Sequence, residues 1–106
     1  MTTPKDAYNA IMAAGTDASA SNDWAPMQRA ISEANMTACA AENDRFTDFN
    51  DAFELITGDE RLFIQYRWYD TSKTFSVRPD MNIYRLRHMR NDKIVAEDEI
   101  RFLDKT

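Results

Sequence analysis

Apolar and polar positions follow two successive periods along this chain, one near 3.6 up to about residue 43 and one of two after residue 48. Thr3 before Pro4 suits a helix start, because a threonine oxygen can accept from an orphan amide and proline lacks the N–H that would be orphaned at the first helical position. Ala7, Ile11 and Ala14, with Tyr8 and Met12 beside them, form one apolar face; Gly15 predicts the stop, and Thr16–Asn22 a loop. Asp23 predicts the cap of a second helix with Trp24, Ala25 and Pro26 in its first turn. Met27, Ile31, Ala34, Ala38 and Ala41 give that helix a stripe running to Asn43–Asp44.

Beyond Asp48 the alternation predicts strands. Phe49–Thr57 and Glu60–Tyr69 flank Gly58-Asp59, and their patterns set Leu55 opposite Leu62, Phe53 opposite Ile64, Asp51 opposite Tyr66 and Phe49 opposite Trp68. Glycine at the first central position suits a type II′ turn, so turn chemistry and apolar pattern agree. Asp70–Lys73 reads as a turn and Thr74–Arg78 as a strand up to Pro79, which has no N–H for a ladder. The stretch from Asn82 to Asp104 is a long hairpin. A three-residue loop at Arg90-Asn91-Asp92 pairs Leu86 with Ala96, His88 with Ile94, Tyr84 with Asp98 and Asn82 with Ile100, leaving Arg85 opposite Glu97 on the other face. The pattern therefore predicts an α+β domain spanning 1–106, with N-terminal helices on a strongly curved antiparallel sheet of about four strands.

An apolar fraction of 43% with 11% aromatics argues against disorder, and no apolar run approaches the roughly 20 residues that span a bilayer. No charged-then-apolar leader opens the chain, so a cytoplasmic location and no membrane partner are expected. Cys39 is the only cysteine and His88 the only histidine, which excludes an intrachain disulfide and a Cys/His zinc site and leaves no metal or cofactor expected; Cys39 reads as a small buried hydrophobe. Residues 1–60 hold eleven acids and three bases, a balance of −8, whereas residues 61–106 hold seven acids and ten bases, a balance of +3. Either the two halves attract when they pack or the acidic half meets a basic partner.

Two stretches resemble a known family. Glu54-Leu55-Ile56-Thr57-Gly58-Asp59-Glu60-Arg61-Leu62-Phe63-Ile64-Gln65-Tyr66-Arg67-Trp68 is similar to the turn and the aromatic- and arginine-rich strand of the SnoaL-like branch of the nuclear-transport-factor-like (cystatin-like) superfamily. Asn82-Ile83-Tyr84-Arg85-Leu86, followed by Lys93-Ile94-Val95-Ala96-Glu97, is similar to that family's last hairpin. The resemblance covers residues 53–104, about half the chain. It implies helices packed into the concave face of a bent sheet, a cone-shaped pocket, a small ligand and, often, a homodimer. This chain is shorter than typical members, and its last hairpin is longer.

On the face set by that register lie Asp51, Tyr66, Asn82, Tyr84, His88 and Asp98 among Leu55, Leu62, Ile64, Trp68 and Leu86, the mixture of apolar walls and a few polar groups that lines small-molecule sites. Asp98 is the candidate acid or base, with His88 and Tyr66 sharing the proton work and Tyr84, Asn82, Trp68 and Asp51 contacting substrate. In the ketosteroid isomerases of the superfamily an aspartate base acts with tyrosine and protonated-aspartate donors. Each residue has a plainer role open to it: Asp98 at a solvated rim or beside an arginine, His88 as a structural residue, the tyrosines and Trp68 as core. Glu97 and Glu99 beside Arg85, Arg87 and Arg90 neutralise the basic stretch, so no nucleic-acid partner is expected. Two functions follow: a small-molecule-binding protein, with isomerase, cyclase or hydrolase chemistry at Asp98, or a non-catalytic dimerisation or protein-interaction module of the same fold.

Overall fold

The computed structural model of the protein describes residues 2–21, 23–45, 48–68 and 81–103. Two helices, α1 (Pro4–Ser21) and α2 (Ala25–Glu33), precede five strands, β1 (Thr37–Cys39), β2 (Asp51–Thr57), β3 (Glu60–Trp68), β4 (Met81–Arg90) and β5 (Lys93–Leu103). The strands form one antiparallel sheet in chain order, so the class is α+β with one strand more than the pattern indicates. The expected turn at Asp70–Lys73, the strand at Thr74–Arg78 and Pro79 fall outside the described residues.

α1 starts as its sequence directs, with the Thr3 hydroxyl accepting from the Asp6 amide at 3.1 Å and Pro4 buried in the first turn. It does not stop at Gly15 but continues six residues further, to Ser21. A glycine inside a helix costs about 1 kcal/mol relative to alanine. Here it permits a close approach, because a β-carbon on Gly15 would overlap the Cδ1 of Ile100 in β5. The second helix is shorter than its stripe. The Asp23 carboxylate accepts from the Ala25 amide at 3.2 Å, but Asn35 takes φ +53 and ends the helix, left-handed backbone being incompatible with another turn. Ala38 and Ala41 therefore leave the helix, and Thr37–Cys39 becomes the fifth strand, pairing with Ala52–Glu54.

The β2–β3 hairpin has the expected register, Asp51 with Tyr66, Phe53 with Ile64 and Leu55 with Leu62. Gly58 has φ +60 while Asp59 is not left-handed, the pattern of a type II′ turn. Phe49 precedes the strand and does not pair with Trp68. The last hairpin differs from expectation in its loop. Arg90 pairs with Lys93 around a two-residue turn in which Asn91 and Asp92 have φ +52 and +62, as type I′ requires, and a bulge follows between His88 and Met89. The extra residue at Val95 restores the alternation that a two-residue loop alone would spoil. Leu86 consequently faces Asp98, His88 faces Ala96, Tyr84 faces Ile100, Asn82 faces Phe102 and Arg85 faces Glu99. Each of these partners is displaced by two residues; Tyr84, Leu86, His88, Ala96, Asp98 and Ile100 keep their predicted face, whereas Ile94, now opposite Met89, moves to the other one.

Both faces of the sheet are covered. Ala7, Tyr8 and Ile11 of α1 and Met27 at the start of α2 pack against Leu62, Ile64, Leu86 and Ile100. On the other face the chain between β1 and β2 crosses the strands: the Gln65 amide oxygen accepts from the Glu42 backbone N–H at 2.9 Å, Arg87 pairs with Glu42 at 2.9 Å and Arg85 with Asp44 at 3.3 Å. Phe63 and Phe49 are buried there under guanidinium groups, with Arg61 4.8 Å above the Phe63 ring and Arg85 4.7 Å above that of Phe49.

Candidate functional site

The helix-covered face divides its polar and aromatic side chains between two places. The first is a notch under α2. Tyr66 and Tyr84 are direct cross-strand partners on β3 and β4, and their rings lie 4.6 Å apart at an interplanar angle of 32°. With Phe53 and Ile64 from the sheet and Gln28 and Ile31 from α2 they line a largely apolar, half-open cavity of about 150 Å³. Burial pushes the Tyr84 phenol above its ordinary range, so at neutral pH it is an uncharged group. The site exists because three periodicities converge: Phe53, Ile64, Tyr66 and Tyr84 alternate inward along their strands, while Gln28 and Ile31, three apart, share one side of the helix.

The second place is a polar cluster around Tyr8 of α1. The Tyr8 hydroxyl donates a short hydrogen bond to the Asp98 carboxylate on β5. Burial, together with that bond and the negative charge of Asp98, drives the Tyr8 phenol well above the usual tyrosine range. Across the tyrosine ring stands His88, 95% removed from solvent, with ring centroids 6.0 Å apart. Its Nε2 lies 3.6 Å from the Glu60 carboxylate, which is also 3.6 Å from the Arg90 guanidinium. No hydrogen-bond partner reaches that Nε2 among the described residues.

Of the candidate catalytic residues, Asp98 and His88 thus come together around Tyr8, and Tyr66 stands apart in the notch with Tyr84. Asp98 remains exposed and, in the observed register, is opposite Leu86 rather than Tyr84. Asp51 shares the sheet face as Tyr66's cross-strand neighbour, is exposed and does not line the notch. Trp68 and Asn82 are strand partners at the far end of β3 and β4, and their side chains lie outside what is described. Sequence reasoning missed Tyr8, Gln28 and Ile31 as site residues. Tyr8 carried a signal, a phenol among alanines and isoleucine on an apolar helix face, where a buried hydroxyl needs an acceptor from the opposing layer.

Among the described residues no three His, Cys, Asp or Glu side chains gather closely enough to hold a metal ion, and no helix is long and apolar enough to cross a membrane. Cys39 on β1 is free and half-buried, its thiol pushed up by burial and by the neighbouring Glu54 carboxylate. Comparison with family models, with curated proteins and with solved structures finds no match to this chain.

Proposed function

We propose that this protein binds a compact apolar ligand, a single ring being the best fit, in the notch between α2 and the Tyr66–Tyr84 pair, and that it is a SnoaL-like member of the cystatin-like superfamily. The observation that carries the reading is the notch itself: apolar walls from Ile31, Phe53, Ile64 and the two tyrosine rings, a volume of about 150 Å³, and a few polar tips from Gln28 and the two phenols. An apolar cavity of that order accommodates benzene. Helices that precede an antiparallel sheet and cover one face of it support the family reading. The acid–base work expected of Asp98 belongs in this proposal to the Tyr8 cluster, apart from the notch, where a neutral phenol donor and a carboxylate sit side by side. In the non-catalytic alternative the same notch receives an apolar side chain of another protein.

Titration with phenol, followed by NMR, tests the reading. Saturable shifts confined to residues of α2 and to the inward positions of β2, β3 and β4 are expected, with a dissociation constant on the order of 1 mM for so small a ligand. Ile31→Trp, which fills the notch, removes them. Asp98→Asn leaves them unchanged. Phenol binding that survives Ile31→Trp, or that is lost in Asp98→Asn with the fold intact, overturns the assignment of the site.

A further inference from the structure

We propose that β5 is a self-recognising edge: two copies of the chain pair antiparallel along it, centred on Ile100, and join their sheets into one. Among the described residues β5 is the last strand in the sheet order and, with eleven residues, the longest, and no strand pairs with its outer side. The opposite edge, β1, has only three residues. A long unpaired edge presents a row of N–H and C=O groups that either finds a partner or must be blunted by charge.

The order of charges on β5 selects the partner. Antiparallel pairing of a strand with its own copy, about a two-fold axis normal to the sheet, places one residue on the axis and pairs its neighbours symmetrically. With Asp98 on the axis, Asp98 would face itself and Glu97 would face Glu99. With Glu97, Glu99 or Arg101 on the axis, a like-charged pair sits at the centre. A centre at Ala96 runs through the bulge, where the ladder is irregular. Of the centres from Ala96 to Arg101, Ile100 alone gives a regular ladder with opposite charges across the axis, Glu99 of each copy against Arg101 of the other. A purely basic or purely acidic extended segment matches this edge poorly, because it carries both signs within three residues.

The surroundings of Ile100 fit the same axis. Beside it runs a groove of about 500 Å³ between the C-terminal half of α1 and β5, flanked by Met12, Thr16 and Ala20 on one side and by Glu99 and Arg101 on the other. The two-fold axis sets this groove against its twin and covers the apolar part of both. The Arg101 side chain is 64% exposed and, among the described residues, pairs with Glu99 of its own strand, a partner it can exchange for Glu99 of the second copy. This proposal does not require the notch ligand, and a monomeric protein would leave the notch reading standing.

Sedimentation equilibrium of the full chain and of charge-reversed variants tests it. The unaltered chain is expected to dimerise at micromolar concentration. Arg101→Glu and, separately, Glu99→Arg each raise the dissociation constant about tenfold or more, since each sets like charges face to face twice. An equimolar mixture of the two variants associates, and the double exchange E99R/R101E dimerises again. Circular dichroism melts check that the fold is kept, and the exposed position of Arg101 makes its variant the decisive one should Glu99→Arg unfold. A wild-type chain that stays monomeric, an Arg101→Glu variant that dimerises as tightly as wild type, or a mixture of folded single variants that stays monomeric overturns the proposal.

Discussion

Tyr8 illustrates how a single side chain acquires properties its sequence neighbours do not give it. It is a member of α1's apolar face, yet its hydroxyl is fixed by Asp98, ninety residues away. Its phenol keeps its proton in the folded state at a pH where the unfolded chain's tyrosines, with an ordinary pKa of about 10, lose theirs. The stabilisation this represents is complete below about pH 10 and is lost as pH rises above it, because there the unfolded state binds fewer protons. Urea unfolding compared at pH 9 and pH 11 is expected to show a fall in stability that is smaller in Tyr8→Phe. Tyr84, raised by burial alone, contributes in the same direction. Which residues are apolar and inward was legible in the sequence at Ile11, Met27, Leu62, Ile64 and Leu86. Which polar group meets which was not, because the Tyr8–Asp98 contact depends on how far α1 runs and on the closeness that Gly15 allows.

The two hairpins show what an element's pattern determines and what it leaves open. In β2–β3 the two-residue turn and the alternation demand the same register, so it was legible pair by pair from Asp51–Tyr66 to Leu55–Leu62, though not at Phe49, which precedes the strand. In β4–β5 parity fixes the face of the side chains beyond the bulge but not their partners, and Ile94, before it, changes face. A three-residue loop and a two-residue turn followed by a bulge both place Tyr84, Leu86, His88, Ala96, Asp98 and Ile100 on one side. The bulge has no signature of its own in Ile94-Val95-Ala96. The left-handed pair Asn91-Asp92 did carry one, since asparagine and aspartate tolerate that conformation better than other residues with a side chain. Asp92→Val should lower stability by about 1–2 kcal/mol, whereas Asp92→Gly should retain it. Denaturant melts of the two variants check this, and equal losses in both would contradict the turn geometry. The fifth strand was hidden for a related reason: Ala38 and Ala41 continue the helical spacing of Met27, Ile31 and Ala34, and only the left-handed Asn35 interrupts it.

At the scale of the molecule, the charge imbalance between the halves is used within the fold. Arg85 and Arg87, from the basic half, reach Asp44 and Glu42, from the acidic half, and fasten the chain between β1 and β2 over Phe63 and Gln65. Arg87, which also bonds Glu97 at 2.7 Å, is held in its charged form by those two carboxylates. Arg87→Ala should cost about 1–2 kcal/mol and accelerate amide exchange at Glu42 and its neighbours, while Arg87→Lys recovers only part of the loss because it cannot form both bonds in one plane. Unchanged exchange in the alanine variant would mean that the Gln65 bond holds the crossing unaided.

The strictly sequential sheet has a consequence for synthesis on the ribosome. Each of its strands pairs with the one made just before it, so the ladder can grow in step with translation, by short loop closures of low entropic cost. α1 packs beside α2, the next element, but belongs to no ladder. Its Tyr8 and Gly15 meet Asp98 and Ile100, among the last described residues to be made. The apolar face of the helix is therefore covered in stages as β3 and β4 emerge, and only the seating of Tyr8 and Gly15 against β5 waits for the last described strand.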